Sequence, residues 1–185
     1  LFLADYNLRK ALDFCKLNQE DAAIYYCYTG VYMEYDIVNR GSLLKDNLLH
    51  PCNLEMKFPP ACYRYKIRRI FNHASKPEEA ISFCNNLKNG QRLGCFHGIG
   101  VTYYQQIYKK PYYISRVCGS GTQDDKKMCL DGAIQLIAVT NRTAAIDACE
   151  LVDNNLRDYC IHEVKYKTFN MNKPLQLYYE SLNQN

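Results

Sequence analysis

Short apolar blocks recur along this chain, each closing on a cysteine and each followed by a polar stretch and then a longer, mixed apolar segment. Ala11-Leu12-Asp13-Phe14-Cys15, Ala80-Ile81-Ser82-Phe83-Cys84, Ile114-Ser115-Arg116-Val117-Cys118 and Ala145-Ile146-Asp147-Ala148-Cys149 space their apolar side chains as the inner stripe of a helix. Between the blocks lie Lys16 to Asp21, Pro59-Pro60, Asn85-Asn86 to Gly90-Gln91, Gly119-Ser120-Gly121 and Asp153-Asn154-Asn155, whose residue types mark turns. The pattern predicts helical hairpins. A cysteine stands near the end of each first helix, and another faces it near the start of each second helix.

The cysteines act as a ruler for these hairpins. They stand at 15, 27, 52, 62, 84, 95, 118, 129, 149 and 160, so that consecutive pairs are separated by 12, 10, 11, 11 and 11 residues. The first members of the pairs advance by 37, 32, 34 and 31 residues. A period in the low thirties is the mark of two-helix repeats that stack and bury each other's apolar faces. The expected fold is therefore all-α, a right-handed solenoid of about five hairpins in a single domain, with units at about 5–40, 41–75, 76–110, 111–142 and 143–172. Pro77, Pro111 and Pro174 fall near unit starts, where the first turn of a helix tolerates proline. The segment 173–185, with Leu175, Leu177, Tyr178 and Leu182, reads as a last helix covering the open end of the stack. Unit two departs from the others: His50-Pro51 and Pro59-Pro60 imply a shortened first helix and a rigid turn. Gly30, Gly98 and Gly132 each stand three residues after a second cysteine, where Tyr65 and Glu163 occupy the other two units. A helical glycine costs about 1 kcal/mol against alanine, so its recurrence implies close backbone contact between paired helices.

Composition changes this picture in one respect. The 185 residues are 48% hydrophobic and 23% charged, which excludes collagen, low-complexity and disordered classes, but ten cysteines are many for such a chain. The repeat pairs them sequentially: Cys15–Cys27, Cys52–Cys62, Cys84–Cys95, Cys118–Cys129 and Cys149–Cys160. Closing a loop of this length stabilises a hairpin by about 2–3 kcal/mol in the chain-entropy account, which a reducing compartment would forfeit. The expected location is extracytoplasmic and oxidising: periplasm, the extracellular medium, or the mitochondrial intermembrane space as the alternative. No C-x-x-C occurs, which argues against structural zinc, covalent haem and ferredoxin spacing, so neither a metal nor a cofactor is expected. Ten free thiols would explain the period without explaining why cysteine, and not leucine or alanine, recurs.

Charge adds little. A net +4 from 23 basic and 19 acidic side chains falls short of the density that nucleic-acid binding requires. No stretch has the length of apolar sequence that a membrane-spanning helix needs, and Leu1 in place of methionine reads as a processed product.

The segment Ala80-Ile81-Ser82-Phe83-Cys84 through the Gly90 turn to Gly94-Cys95-Phe96-His97-Gly98 and Tyr103-Tyr104 carries a family resemblance. The chain resembles the tetratricopeptide-like helical repeats, most closely the cysteine-rich, disulfide-stapled hairpin repeat proteins that some bacteria secrete. The resemblance implies a secreted or periplasmic scaffold whose concave face binds other molecules, and it carries over no catalytic residue. Cys52–Cys62, with nine intervening residues, also looks like half of a twin-cysteine intermembrane-space protein.

Candidate contact residues follow from residue type. Seventeen tyrosines suit wet binding surfaces and sugar stacking as well as helix packing. Tyr103, Tyr104, Tyr108, Tyr112 and Tyr113 bridge two units in a run that mixes polar, cationic and aromatic groups. Arg64, Lys66, Arg68 and Arg69 form a basic stretch interleaved with Tyr63 and Tyr65, fit for an anionic glycan or an acidic protein face. His97 and His162 each follow a second cysteine by two residues, the place held by Thr29, Arg64 and Asp131 elsewhere, and would line a groove if that position faces one. Asn141-Arg142-Thr143 is a glycosylation sequon at a unit boundary. No nucleophile elbow, zinc-protease helix, phosphate loop or calcium loop occurs, and the even cysteine count leaves no thiol nucleophile. The expected function is protein binding as a scaffold or accessory subunit, with peripheral association to a membrane complex compatible; the alternative is a glycan or cell-wall-fragment binder, and a histidine-assisted metal or cofactor protein ranks third.

Overall fold

A computed structural model describes residues 2–39, 49–54, 57–71, 75–166 and 172–182. After a 3-10 turn over Phe2–Ala4 come α1 (Leu8–Cys15), α2 (Asp21–Val38), α3 (Pro59–Ile70), α4 (Pro77–Asn85), α5 (Asn89–Lys109), α6 (Tyr113–Cys118), α7 (Gln123–Thr140), α8 (Arg142–Cys149), α9 (Asn154–Tyr166) and α10 (Asn172–Leu182). Among the described residues there is no strand.

Local chemistry sets the helix starts. Asn7 caps α1 and Asn141 caps α8, each side-chain oxygen accepting from the backbone N–H three residues on. Thr122 and Asp125 form a reciprocal capping box on α7. Pro77 occupies the first turn of α4. Pro59 and Pro60 do the same for α3, so this pair starts a helix instead of forming the expected rigid turn: the first turn has no intrahelical acceptor for the missing N–H groups. The shortened first helix expected for unit two falls largely on residues 41–48, outside the described residues, and 49–54 forms turns.

All five sequential disulfides are present, with Cα–Cα distances of 5.3–5.6 Å. In four units the second cysteine is the seventh residue of its helix: Cys27 in α2, Cys95 in α5, Cys129 in α7 and Cys160 in α9. Each of these bonds ties the last turn of a short helix to the second turn of a longer one.

The longer helices then pack in chain order, α2 on α3, α3 on α5, α5 on α7 and α7 on α9, while α1, α4, α6 and α8 each lie against their own partner. Fully buried Tyr25, Tyr63, Tyr103, Phe58 and Phe96 fill the space between them. The tightest crossing joins α5 to α7. A Cβ on Gly100 would stand 2.0 Å from the Cys129 carbonyl oxygen, and one on Gly132 would stand 2.3 Å from that of His97. Gly98 likewise meets the Arg64 carbonyl of α3. The recurrent glycine therefore contacts the preceding long helix, not its own hairpin partner as the sequence implied. Gly30, at the same position of α2, has no described neighbour within 4 Å.

The final segment is helical, but it does not cover the end beside unit five. Instead α10 packs on α5, α3 and α2, near their N-terminal ends. Its Tyr178 ring lies against Gly90, Tyr179 meets Phe58 edge to face, and the Tyr179 hydroxyl donates to the Asp21 carboxylate. Leu175 and Leu177 are buried by the same contact.

Candidate functional site

The stacking register decides which repeat positions face outward. Six residues after the second cysteine stand Met33 on α2, Arg68 on α3 and Val101 on α5, and all three line one groove of about 560 Å³. Asp36, Ile37, Arg69, Tyr104 and Gln105 complete its walls with Tyr65 and Thr102. Met33 and Ile37, one turn apart on α2, keep 44% and 49% of their surface exposed. Arg69 Nη1 donates to the Asp36 carbonyl oxygen at 3.2 Å, and Tyr104 accepts from Gln105 at 3.2 Å. The Thr102 hydroxyl is turned inward, donating to the Gly98 carbonyl at 2.8 Å.

A second groove, of about 1040 Å³, lies between α1, α2 and the 49–54 turns. Tyr28, Tyr32 and Tyr35 follow one another along α2 on its floor, while Asn7, Arg9, Asp13, Lys16, His50 and Lys57 stand on its rim. Asp13 pairs with Lys16 at 2.7 Å, and Asp21 with Lys57. The Lys57 ammonium, and after it the Tyr179 hydroxyl, holds the Asp21 carboxyl below the usual range.

Of the candidate contact residues, Arg68, Arg69 and Tyr104 are brought together in the smaller groove. Tyr108 and Tyr112 are exposed beyond it, Tyr112 at 64%. Tyr113 carries the Arg116 guanidinium 5.2 Å above its ring. Lys66, half-buried, donates to the His50 carbonyl, and burial holds its ammonium below the ordinary lysine value. Tyr103 and Arg64 lie in the interior, where neither presents a contact surface. Tyr103 packs between helices, donates to the Ser75 carbonyl at 3.2 Å and is pushed up to about 12 by burial.

Arg64 belongs to a different arrangement, and so does His97. The position two residues after the second cysteine faces no groove: Thr29, Arg64, His97 and Asp131 are all buried, one on each of α2, α3, α5 and α7. His97 Nε2 lies 3.5 Å from Asp131 Oδ2, and Gln135 donates to Asp131 Oδ1 at 2.7 Å. Burial, reinforced by the Arg64 guanidinium, keeps His97 well below the ordinary histidine value, so the ring is neutral. At the last unit the pattern shifts by one residue: His162 points outward and Glu163 is buried. Within this row His97 and Asp131 link α5 to α7, the Arg64 charge of α3 acts on His97, and Thr29 donates to the Tyr25 carbonyl of its own helix; a metal reading of the histidines finds no cluster of three ligands among the described residues. Asn141 and Thr143 of the sequon are exposed at the start of α8.

No protein-family model, curated protein or solved structure matches the chain significantly. Five disulfides fit an oxidising compartment. Among the described residues, no helix is long and apolar enough to cross a membrane.

The smaller groove was legible in part. The basic stretch and the tyrosine run pointed to Arg68, Arg69 and Tyr104, but Met33 and Ile37 gave no separate signal. Their position does: reading the sixth residue after each second cysteine as one row would have placed Met33 beside Arg68 and Val101.

Proposed function

We propose that the chain is a non-catalytic, disulfide-stapled helical-repeat scaffold or accessory subunit that binds another protein in the α2–α3–α5 groove. The observation that carries this reading is the groove itself, where Met33, Arg68 and Val101 share one position on three long helices and exposed Met33 and Ile37 stand beside exposed Arg68, with Val101 buried behind them. Apolar surface left open beside arginine and tyrosine is the composition of protein-binding patches. The serial packing of the long helices supports a solenoid of five hairpins in one domain, right-handed as in the repeat proteins the chain resembles. The disulfides favour the periplasm or a secreted location, with the intermembrane space as the alternative and peripheral attachment to a membrane complex compatible.

Native co-purification under oxidising conditions tests the reading. A partner chain in fixed stoichiometry is expected, and Met33→Asp with Ile37→Asp is expected to release it while the melting curve stays in place. A partner retained by that double variant contradicts the assignment of the groove.

The larger groove favours a second reading, glycan binding, because three tyrosines on one helix face stand beside amide, carboxylate and ammonium groups. Saturable binding of an oligosaccharide that is lost in Tyr35→Ala would support it.

A further inference from the structure

We infer that the α2–α3–α5 groove takes a partner segment in which a carboxylate side chain stands next to a large apolar one. The inference rests on the protein-binding reading and adds the chemistry of what is bound.

Two arginines in the last turn of α3 line the groove, against one carboxylate, Asp36. Arg68 is exposed and makes no ion pair among the described residues. Arg69 is different. Its side chain is 10% exposed; Nη1 reaches the Asp36 carbonyl at 3.2 Å and lies 3.5 Å from Asp36 Oδ1, the limit of a hydrogen bond. Its Nη2 is shielded from water and has no acceptor among the described residues. A buried guanidinium N–H without an acceptor is rare because the desolvation cost is not returned. That buried atom is out of a ligand's reach, so an entering carboxylate is met by Arg68, whose exposed guanidinium offers the paired geometry that arginine favours.

The apolar part of the ligand is set by the opposite wall. Met33 and Ile37 on α2 and Tyr104 on α5 face the groove, and the Thr102 and Tyr104 hydroxyls already have partners within the protein. A purely acidic segment would leave Met33 and Ile37 in water, and a purely apolar one would bury Arg68 unpaired. An amphipathic acidic segment satisfies both walls.

The test is a selection of random 12-residue peptides displayed on phage against the oxidised full chain, followed by fluorescence anisotropy of the selected peptides made synthetically. Peptides with Asp or Glu adjacent to Leu, Ile, Met or an aromatic residue are expected. Their affinity should fall at least tenfold in Arg68→Glu and in Met33→Asp, and weaken with salt, while Lys88→Glu, on the exposed start of α5, changes nothing. Replacing the peptide carboxylate by lysine should abolish binding to the natural chain and restore it to Arg68→Glu. Arg68 is exposed, so that variant is expected to fold, which its melting curve checks. Selected peptides with no acidic enrichment that still depend on Met33 would overturn the acidic chemistry and leave the protein-binding reading standing. Peptides indifferent to both substitutions would overturn both. Arg68-dependent binding to phosphatidylserine vesicles with no peptide selected would also overturn the inference, in favour of an anionic surface.

Discussion

Gly100 and Gly30 carry the same side chain in similar helices, yet the fold gives them opposite roles. At Gly100 a methyl group would enter the backbone of α7, which has nowhere to move. Gly100→Ala is expected to destabilise the protein by about 1–3 kcal/mol, the usual cost of overpacking, despite the better helix propensity of alanine. Gly30 is exposed with open space around its Cα, so Gly30→Ala should stabilise by up to about 1 kcal/mol. Chemical denaturation of the two oxidised variants checks both signs. His97 makes a pH prediction of the same kind. Arg64 of α3 and Asp131 of α7 face it, and burial with the guanidinium outweighs the carboxylate 3.5 Å away. The unfolded chain takes up a proton near pH 6.5 while the folded one does not, so this contribution is complete above 6.5 and is lost as pH falls below it. The slope is about 1.4 kcal/mol per pH unit for one such group. Denaturant midpoints between pH 6.5 and 5 should fall less steeply in His97→Gln than in the natural chain; equal slopes would contradict the neutral, buried ring.

Elements are joined by side chains that serve two helices at once, and Asp125 is the clearest. Its carboxylate closes the capping box of α7 with Thr122 and accepts from Arg92 Nε and Nη2 of α5 at 2.7–3.0 Å. The same guanidinium reaches back to the Asn85 carbonyl and side chain, fixing the α4–α5 turn. Asp125→Ala is expected to cost about 3 kcal/mol, the lower end for breaking a buried pair because Arg92 retains some contact with water. Thermal melting of the oxidised variant measures it. How far such elements were legible depended on the marker. Cysteine fixed helix ends, since each bond must place two backbones within a narrow distance, and so the hairpins emerged from spacing alone. The apolar stripe of 172–182 announced a helix with one buried face but not which helices it meets, and α10 docks on α5 near its N-terminal end instead of covering α9. Gly98 and Gly132 announced close contact, but the choice between hairpin partner and preceding helix is a tertiary fact.

At the scale of the whole molecule, the covalent bonds and the buried polar row run in different directions. Each disulfide lies within one hairpin, while Arg64, His97 and Asp131 extend from hairpin to hairpin through the interior. The candidate site follows from this division. Bonds that hold each hairpin leave the groove row of the long helices free to vary, and there Met33, Arg68 and the buried Val101 differ in chemistry at one shared position. The sequence revealed the disulfide-paired helices but not which row faces outward, because Thr29, Arg64, His97 and Asp131 look like surface residues and are buried. Reduction should weaken every unit at once, by about 2–3 kcal/mol for each hairpin loop opened in the chain-entropy account. The pairing itself is tested most directly by proteolysis of fresh native protein without reductant and mass spectrometry of the linked peptides. Five linkages are predicted, Cys15 to Cys27, Cys52 to Cys62, Cys84 to Cys95, Cys118 to Cys129 and Cys149 to Cys160. Free thiols at these positions, or a bond joining cysteines of different hairpins, would contradict the account.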